Sequence, residues 1–157
     1  MTIKLLAIGK TDSKELQKLI SMYEQRLGHY VKFELEIIPD LKKTKNLSAE
    51  QQKIKEGELI FKSLVNTDML VLLDENGKQY SSLEFSIYLQ KKMNSGLKQL
   101  VFLIGGPYGF SEEIYKKASG KISLSKMTFS HQMVRLFFVE QLYRAFTILR
   151  NEPYHHQ

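Results

Sequence analysis

The sequence predicts an α/β protein with a mainly parallel sheet flanked by helices. Three observations carry this. Residues 3–8 (apolar but for Lys4), 69–73 and 100–104 are short apolar runs, the pattern of strands buried on both faces. Between them lie segments of helix length with apolar residues at helical spacing. The two signals alternate along the chain, as βαβ units with parallel pairing require. The chain has 157 residues, no repeat, no low-complexity stretch and no linker, so one domain spanning 1–157 is expected.

Taken in order, the first strand, 3–8, ends at Gly9. Asp12 or Ser13 caps a helix to about Leu27, with Leu16, Leu19, Ile20, Tyr23 and Leu27 as its apolar face and Gly28 as its stop. Phe33, Leu35 and Ile37 alternate with Glu34 and Glu36, which reads as a strand near a sheet edge, closed by Pro39. The basic stretch LKKTK within 40–46 is either a solvated connector or a contact for RNA phosphates. Ser48 and Gln51 form a capping box for a helix to about Val65. Gly57 inside it costs roughly 1 kcal/mol relative to alanine, which points to close packing or a ligand contact. The strand 69–73 is expected to stop at Asp74, with 74–78 as a turn. Ser81 and Ser82 precede a helix to about Asn94, stopped by Ser95-Gly96.

The strand 100–104 opens into Gly105-Gly106-Pro107. Ser111 caps a short helix, residues 121–124 form another strand, and 125–129 form a loop. The last helix, from about Ser130 to Asn151, is apolar nearly all round. A partner subunit is the economical explanation in a chain this small, so a homodimer is expected, with Phe138 at its interface.

Hydrophobic residues make up 43% and charged residues 25%, an ordinary soluble composition. No apolar run approaches the roughly eighteen residues of a membrane span. The N-terminal apolar patch is too short for a signal peptide, and a cytoplasmic protein is expected. The absence of cysteine excludes disulfides, thiolate metal sites and a cysteine nucleophile. Four histidines without metal-site spacing predict no metal. The net charge of +6 favours a polyanionic partner, although many soluble domains are as basic.

The chemistry-bearing residues concentrate in 100–135, where two strand ends open into small-residue loops. In open α/β sheets ligands bind at such ends. The glycine loop is neither GxGxxG nor a P-loop, so on its own it reads more readily as an ordinary strand-to-helix turn than as a phosphate cradle. His131 and Arg135 lie four apart on one helix face. Either Arg135 pairs with Glu140 or another carboxylate, or His131 faces a reacting group while Arg135 holds a phosphate or a base. Glu140 and Arg144 read as a structural ion pair. The tail, 151–156, is either a frayed terminus or part of a site.

The motifs LIGGPYGF and SLSKMTFSHQMVR and the ending Glu152-Pro153-Tyr154-His155 closely resemble the RlmH family of bacterial ribosomal RNA methyltransferases, of the SPOUT class. The resemblance covers the whole chain from IKLLAIGK onward. It implies a SPOUT fold with a C-terminal deep trefoil knot, S-adenosylmethionine as cofactor, and the ribosome, through its 23S ribosomal RNA, as partner. The implied reaction is methylation of N3 of a pseudouridine in the stem-loop at the subunit interface. Carried over by residue, Leu73, Gly105, Leu124, Ser125, Lys126, Met127, Thr128 and Phe129 would bind the cofactor. An uncharged adenine needs backbone donors and acceptors and an apolar slot, which Leu73, Ile104, Leu124, Met127 and Phe129 are suited to supply. His131, Arg135, Tyr154 and His155 are the implied catalytic residues, with Tyr154 suited to stacking on a base and His155 to proton transfer or hydrogen bonding. The tail would complete the partner's site. Two alternatives stay open: a SPOUT enzyme acting on transfer RNA or another ribosomal base, and a ribosome-binding module without catalysis.

Overall fold

The structure, a computed structural model, describes residues 1–66 and 68–156. Its elements are β1 (Thr2–Ile8), α1 (Lys14–Leu27), β2 (Lys32–Ile38), α2 (Ala49–Ser63), β3 (Met69–Gln79), α3 (Ser82–Asn94), β4 (Gln99–Ile104), α4 (Glu112–Lys117), β5 (Gly120–Ser123) and α5 (Met133–Leu149), with a 3-10 turn at Thr44–Asn46. The sheet order is β2-β1-β4-β3-β5, and every neighbouring pair is parallel.

Successive residues of a strand point to opposite faces, so a strand covered on both sides is apolar throughout. Ile3, Leu5 and Phe102 point to one side, where they pack with Phe85, Phe138 and Leu142 from α3 and α5. Leu6, Leu72, Val101 and Leu103 point to the other, against Ile60 of α2 and Ile114 of α4. Ser13, Ser48, Ser81 and Ser111 each accept a backbone N–H at a helix start, and Ser48 and Ser81 complete capping boxes with Gln51 and Glu84.

Three expectations are corrected. First, β3 does not stop at Asp74. It continues to Gln79 through a register shift between Leu73 and Lys78, so residues 74–77 form an irregularity inside the strand. Asp74 Oδ1 accepts the Asn76 N–H at 2.8 Å, and a Cβ on Gly77 would lie 2.6 Å from the Ile122 backbone. The turn residues are genuine, but β5 pairs with the chain on both sides of them. Second, α5 begins at Met133. Ser130 lies a turn earlier and accepts the Met133 N–H through its hydroxyl at 3.1 Å. Third, Phe138 belongs to its own subunit's core. It is fully buried, with its ring centroid 4.7 Å from that of Phe102. The apolar side chains left exposed around α5 are Met133 and Phe137, beside Leu83 and Ile87 on α3 and Phe129 in the preceding loop.

Gly57 is explained by packing. A Cβ there would stand 2.8 Å from Ser111 Oγ, so the glycine lets α2 pass against the cap of α4. Among the described residues no helix is long and apolar enough to cross a membrane, and no group of three or more His, Cys, Asp or Glu is placed to hold a metal.

Candidate functional site

Because all five strands run the same way, the loops that follow them gather at one edge of the sheet. There the ends of β3, β4 and β5 enclose a cavity of about 480 Å³, within the range that suits a small-molecule ligand. Its wall includes Leu73, Ile104, Gly105, Leu124, Ser125, Met127, Thr128 and Phe129, with His131 and Val134 at the start of α5. Of the residues expected around a cofactor only Lys126 is outside this wall. It is exposed, and its side chain belongs to the outer surface of the loop.

Two loops shape the cavity. After β4, the Gly109 N–H donates to the Gly106 carbonyl at 3.1 Å, and Gly109 takes a φ of 84°, which favours glycine. A Cβ on Gly105 would lie 3.0 Å from the Phe110 ring. A Cβ on Gly106 would run into the Glu56 carboxylate, 2.7 Å from Oε1. After β5, Ser123 Oγ donates to the Ser125 carbonyl at 2.8 Å, and Ser125 Oγ accepts the Met127 N–H at 2.9 Å. These bonds order the loop and keep the apolar side chains of Met127 and Phe129 on the cavity wall.

Sequence reasoning missed four residues here. Asp74 and Glu75 line the mouth, and their carboxylates favour a ligand carrying positive charge or hydroxyl donors. Tyr115 donates to Asp74 Oδ2 at 2.7 Å, and burial, followed by that carboxylate, pushes its phenol up to about 12. Glu56 lies behind the glycine loop, 3% exposed, with Gln52 donating to Oε1 at 3.0 Å and no partner for Oε2. Burial raises its carboxyl, and Asp40 adds to this. The Lys-Glu-Gly-Glu stretch was the only available signal for Glu56. Asp74 and Glu75 were concealed by their reading as a turn.

This arrangement gives a direct test of the loop. Gly106→Ala should weaken ligand binding about tenfold, equivalent to about 1.4 kcal/mol, by pushing the loop off Glu56. Adding Glu56→Ala should restore most of it, as read by isothermal titration.

The expected catalytic residues separate into three places. His131 is exposed at the cavity wall. Arg135 is fully buried and turned away from it. Its Nη2 donates to the Ile8 carbonyl at 2.8 Å, Nη1 to the Gly9 carbonyl at 2.7 Å and to Thr11 Oγ1 at 3.2 Å, and Nε to the His131 carbonyl at 3.1 Å. A side chain spent this way has no donor facing solvent for a phosphate or a base. The expected RNA contact is therefore corrected to a clamp between β1 and the start of α5. Nor does Arg135 pair with Glu140, which binds Arg144 at 2.6 Å as expected.

Tyr154 and His155 lie far along α5. The Tyr154 hydroxyl donates to Glu140 Oε1 at 3.0 Å and stands 3.3 Å from the Tyr23 hydroxyl, while His155 Nδ1 is 3.3 Å from Arg144 Nη1. Burial first, then Tyr23 and Glu140, raise the Tyr154 phenol above its ordinary value. Glu140 is seven residues beyond Met133, where α5 begins, about 10 Å of helix rise. Within one subunit the tail and the cavity are therefore apart.

The parallel sheet, the cavity at its C-terminal edge and the close-packed glycine loop define an α/β protein with a small-molecule-sized cavity where such sheets bind ligands. A family model described as "Predicted SPOUT methyltransferase" matches residues 1–155. Proteins named ribosomal RNA large subunit methyltransferase H match over 100% of both chains: 74% identical in Christiangramia forsetii and in Flavobacterium johnsoniae, and 63% in Parabacteroides distasonis. The chain belongs to the SPOUT methyltransferase family and, within it, to the group of ribosomal RNA large subunit methyltransferase H.

Proposed function

We propose that this protein is a single-domain cytoplasmic enzyme that acts as a homodimer on the assembled ribosome. It methylates N3 of a pseudouridine in 23S ribosomal RNA, with S-adenosylmethionine as donor. The observation that carries this reading is the cavity with His131 at its wall, in a chain 74% identical over its full length to ribosomal RNA methyltransferases. The donor supplies a methyl group on a positively charged sulfur, which becomes a neutral thioether when the methyl leaves.

The residues present suit that donor. Leu73, Ile104, Leu124, Met127 and Phe129 offer an apolar slot for the adenine, and the loop backbones offer its hydrogen-bond partners. Asp74 and Glu75 favour the ribose hydroxyls and the positive charge. Methylation at N3 breaks an N–H bond and forms an N–C bond, so the proton must go elsewhere. His131 is the one expected catalytic residue at the cavity of its own subunit, and an imidazole nitrogen there takes the proton. Holding the attacking N3 in line with the methyl–sulfur bond that breaks supplies much of the rate. The exposed apolar patch of Phe129, Met133, Phe137, Leu83 and Ile87 supports the dimer. The deep trefoil knot comes with the family. The return of the chain from the edge strand β5 to α5, packed between α1 and α3, is compatible with it.

The test is transfer of a labelled methyl group to assembled ribosomes, free large subunits, naked ribosomal RNA and transfer RNA, all from cells lacking this protein. Label on assembled ribosomes, mapped to pseudouridine N3, is the expected result. Label on transfer RNA alone would keep the enzyme class and overturn the substrate. No label together with no donor binding would favour a ribosome-binding module without catalysis.

A further inference from the structure

We propose that the β1–β2 half of the sheet's C-terminal edge is a track for the RNA sugar–phosphate backbone, leading to the cavity past Lys10. The proposal rests on the reading of RNA as substrate and names the surface that receives it.

Charge is mixed around the ends of β3, β4 and β5, where Asp74, Glu75, Glu112 and Glu113 stand among Lys78, Lys116, Lys117, Lys121 and Lys126. Around the ends of β1 and β2 lie Lys10, Lys14, Lys18, Lys42, Lys43 and Lys45, all exposed. None of these six forms an ion pair among the described residues, a property they share with most lysines of the chain. Asp12, Glu15 and Asp40 share the basic half. Glu15 already accepts the Ser13 hydroxyl at 2.9 Å, and Asp40 is set against Gly9, where a Cβ would lie 2.7 Å from Oδ1. The unpaired ammonium groups are therefore free to replace the counterions of a polyanion.

The lysines are also held in register with the cavity. Gln132, next to His131, accepts the Asp12 N–H at 3.0 Å and donates to the Lys10 carbonyl at 3.3 Å. Arg135 holds the carbonyls of Ile8 and Gly9, and Gly9 touches Asp40 at the start of the LKKTK loop. A continuous set of contacts thus joins His131 to Lys42. Within the loop, Lys43 has φ 57° and ψ 49°, a left-handed conformation that costs a lysine about 1–2 kcal/mol. Such an outlier on an ordered turn marks a position whose side-chain direction matters more than its backbone comfort.

The experiment is co-sedimentation of the full protein with ribosomes over a range of salt, with donor affinity measured separately. The variant is Lys42→Ala/Lys43→Asn/Lys45→Ala, in which asparagine tolerates the left-handed backbone. The control is Lys62→Ala/Lys91→Ala/Lys98→Ala, which removes the same charge from the opposite edge. Each lost phosphate contact lowers the logarithmic salt slope by about one. The loop variant should bind about tenfold or more weakly at roughly 0.15 M salt, with a slope shallower by about two to three. Its donor affinity should match that of the unaltered protein. An unchanged slope, equal losses in the control, or salt-independent binding by the unaltered protein would overturn the track. Salt-dependent binding without methyl transfer to ribosomes would overturn the proposed reaction and leave the track to be judged by the slope.

Discussion

Arg135→Met should destabilise the protein by roughly 2–4 kcal/mol. For a domain of this size that lowers the melting temperature by about 5–15 °C. The substitution relieves the cost of burying a guanidinium, and methionine fills part of the volume. Against this, the Ile8 and Gly9 carbonyls lose their Arg135 donor in a buried place, at about 1–3 kcal/mol each. The contacts from Arg135 to Thr11 and to the His131 carbonyl are lost as well. Arg135→Lys should recover little, because one ammonium cannot reach the separate acceptors that the planar fork spans. Denaturation midpoints with and without donor check this. A stable Arg135→Lys variant with normal donor affinity but weakened ribosome binding would reinstate the phosphate contact that the geometry rejects.

The second large effect concerns the tail. His155→Ala should cut turnover at least about a hundredfold while leaving donor affinity intact, since a hydrogen bond to charge developing on the reacting base contributes on that scale. Gly106→Val, which drives a larger side chain into Glu56, should abolish donor binding. Neither homodimer works, yet mixed dimers should regain activity. The reason is distance: His155 sits beside Arg144, and Tyr154 beside Glu140, far along α5 from the cavity of the same chain. In the proposed dimer a second copy would bring its tail to that cavity. Dimers proved mixed by differential tagging, yet inactive, would remove the tail from the partner's site and make His155 a scaffold residue of its own chain.

Most of the architecture was legible because its signals are local. Leu100 to Ile104 is apolar at every position, and Ile3 to Ile8 at every position but Lys4, because helices cover both faces of β1 and β4. The serine caps mark helix starts to within a residue or two. The failures have a common cause in contacts that join distant parts of the chain. Nothing near Asp74 announces that β5 will pair with β3 on both sides of the turn residues. Nothing near Arg135 announces that the carbonyls of Ile8 and Gly9 will use its donors. The His131–Arg135 spacing suggested one helix face, but His131 lies in the turn before α5, and four residues cannot tell an arginine at the cavity from one buried beneath it. Phe138 and Phe137 differ by a single position, and only the packing partner Phe102 decides which is core.

The strand order sets a timetable for the nascent chain. Thr2 of β1 pairs with Gln99 of β4 as well as with Lys32 of β2, so the centre of the sheet closes only after some two-thirds of the polypeptide has emerged. Until then β1 and β2 present unpaired edges and apolar faces. Non-local parallel pairing is slow and prone to aggregation at that stage. The cavity loops and α5 come later still. Recently made copies therefore pass through an interval with a partial sheet and no binding site, when no ligand can yet favour the native state.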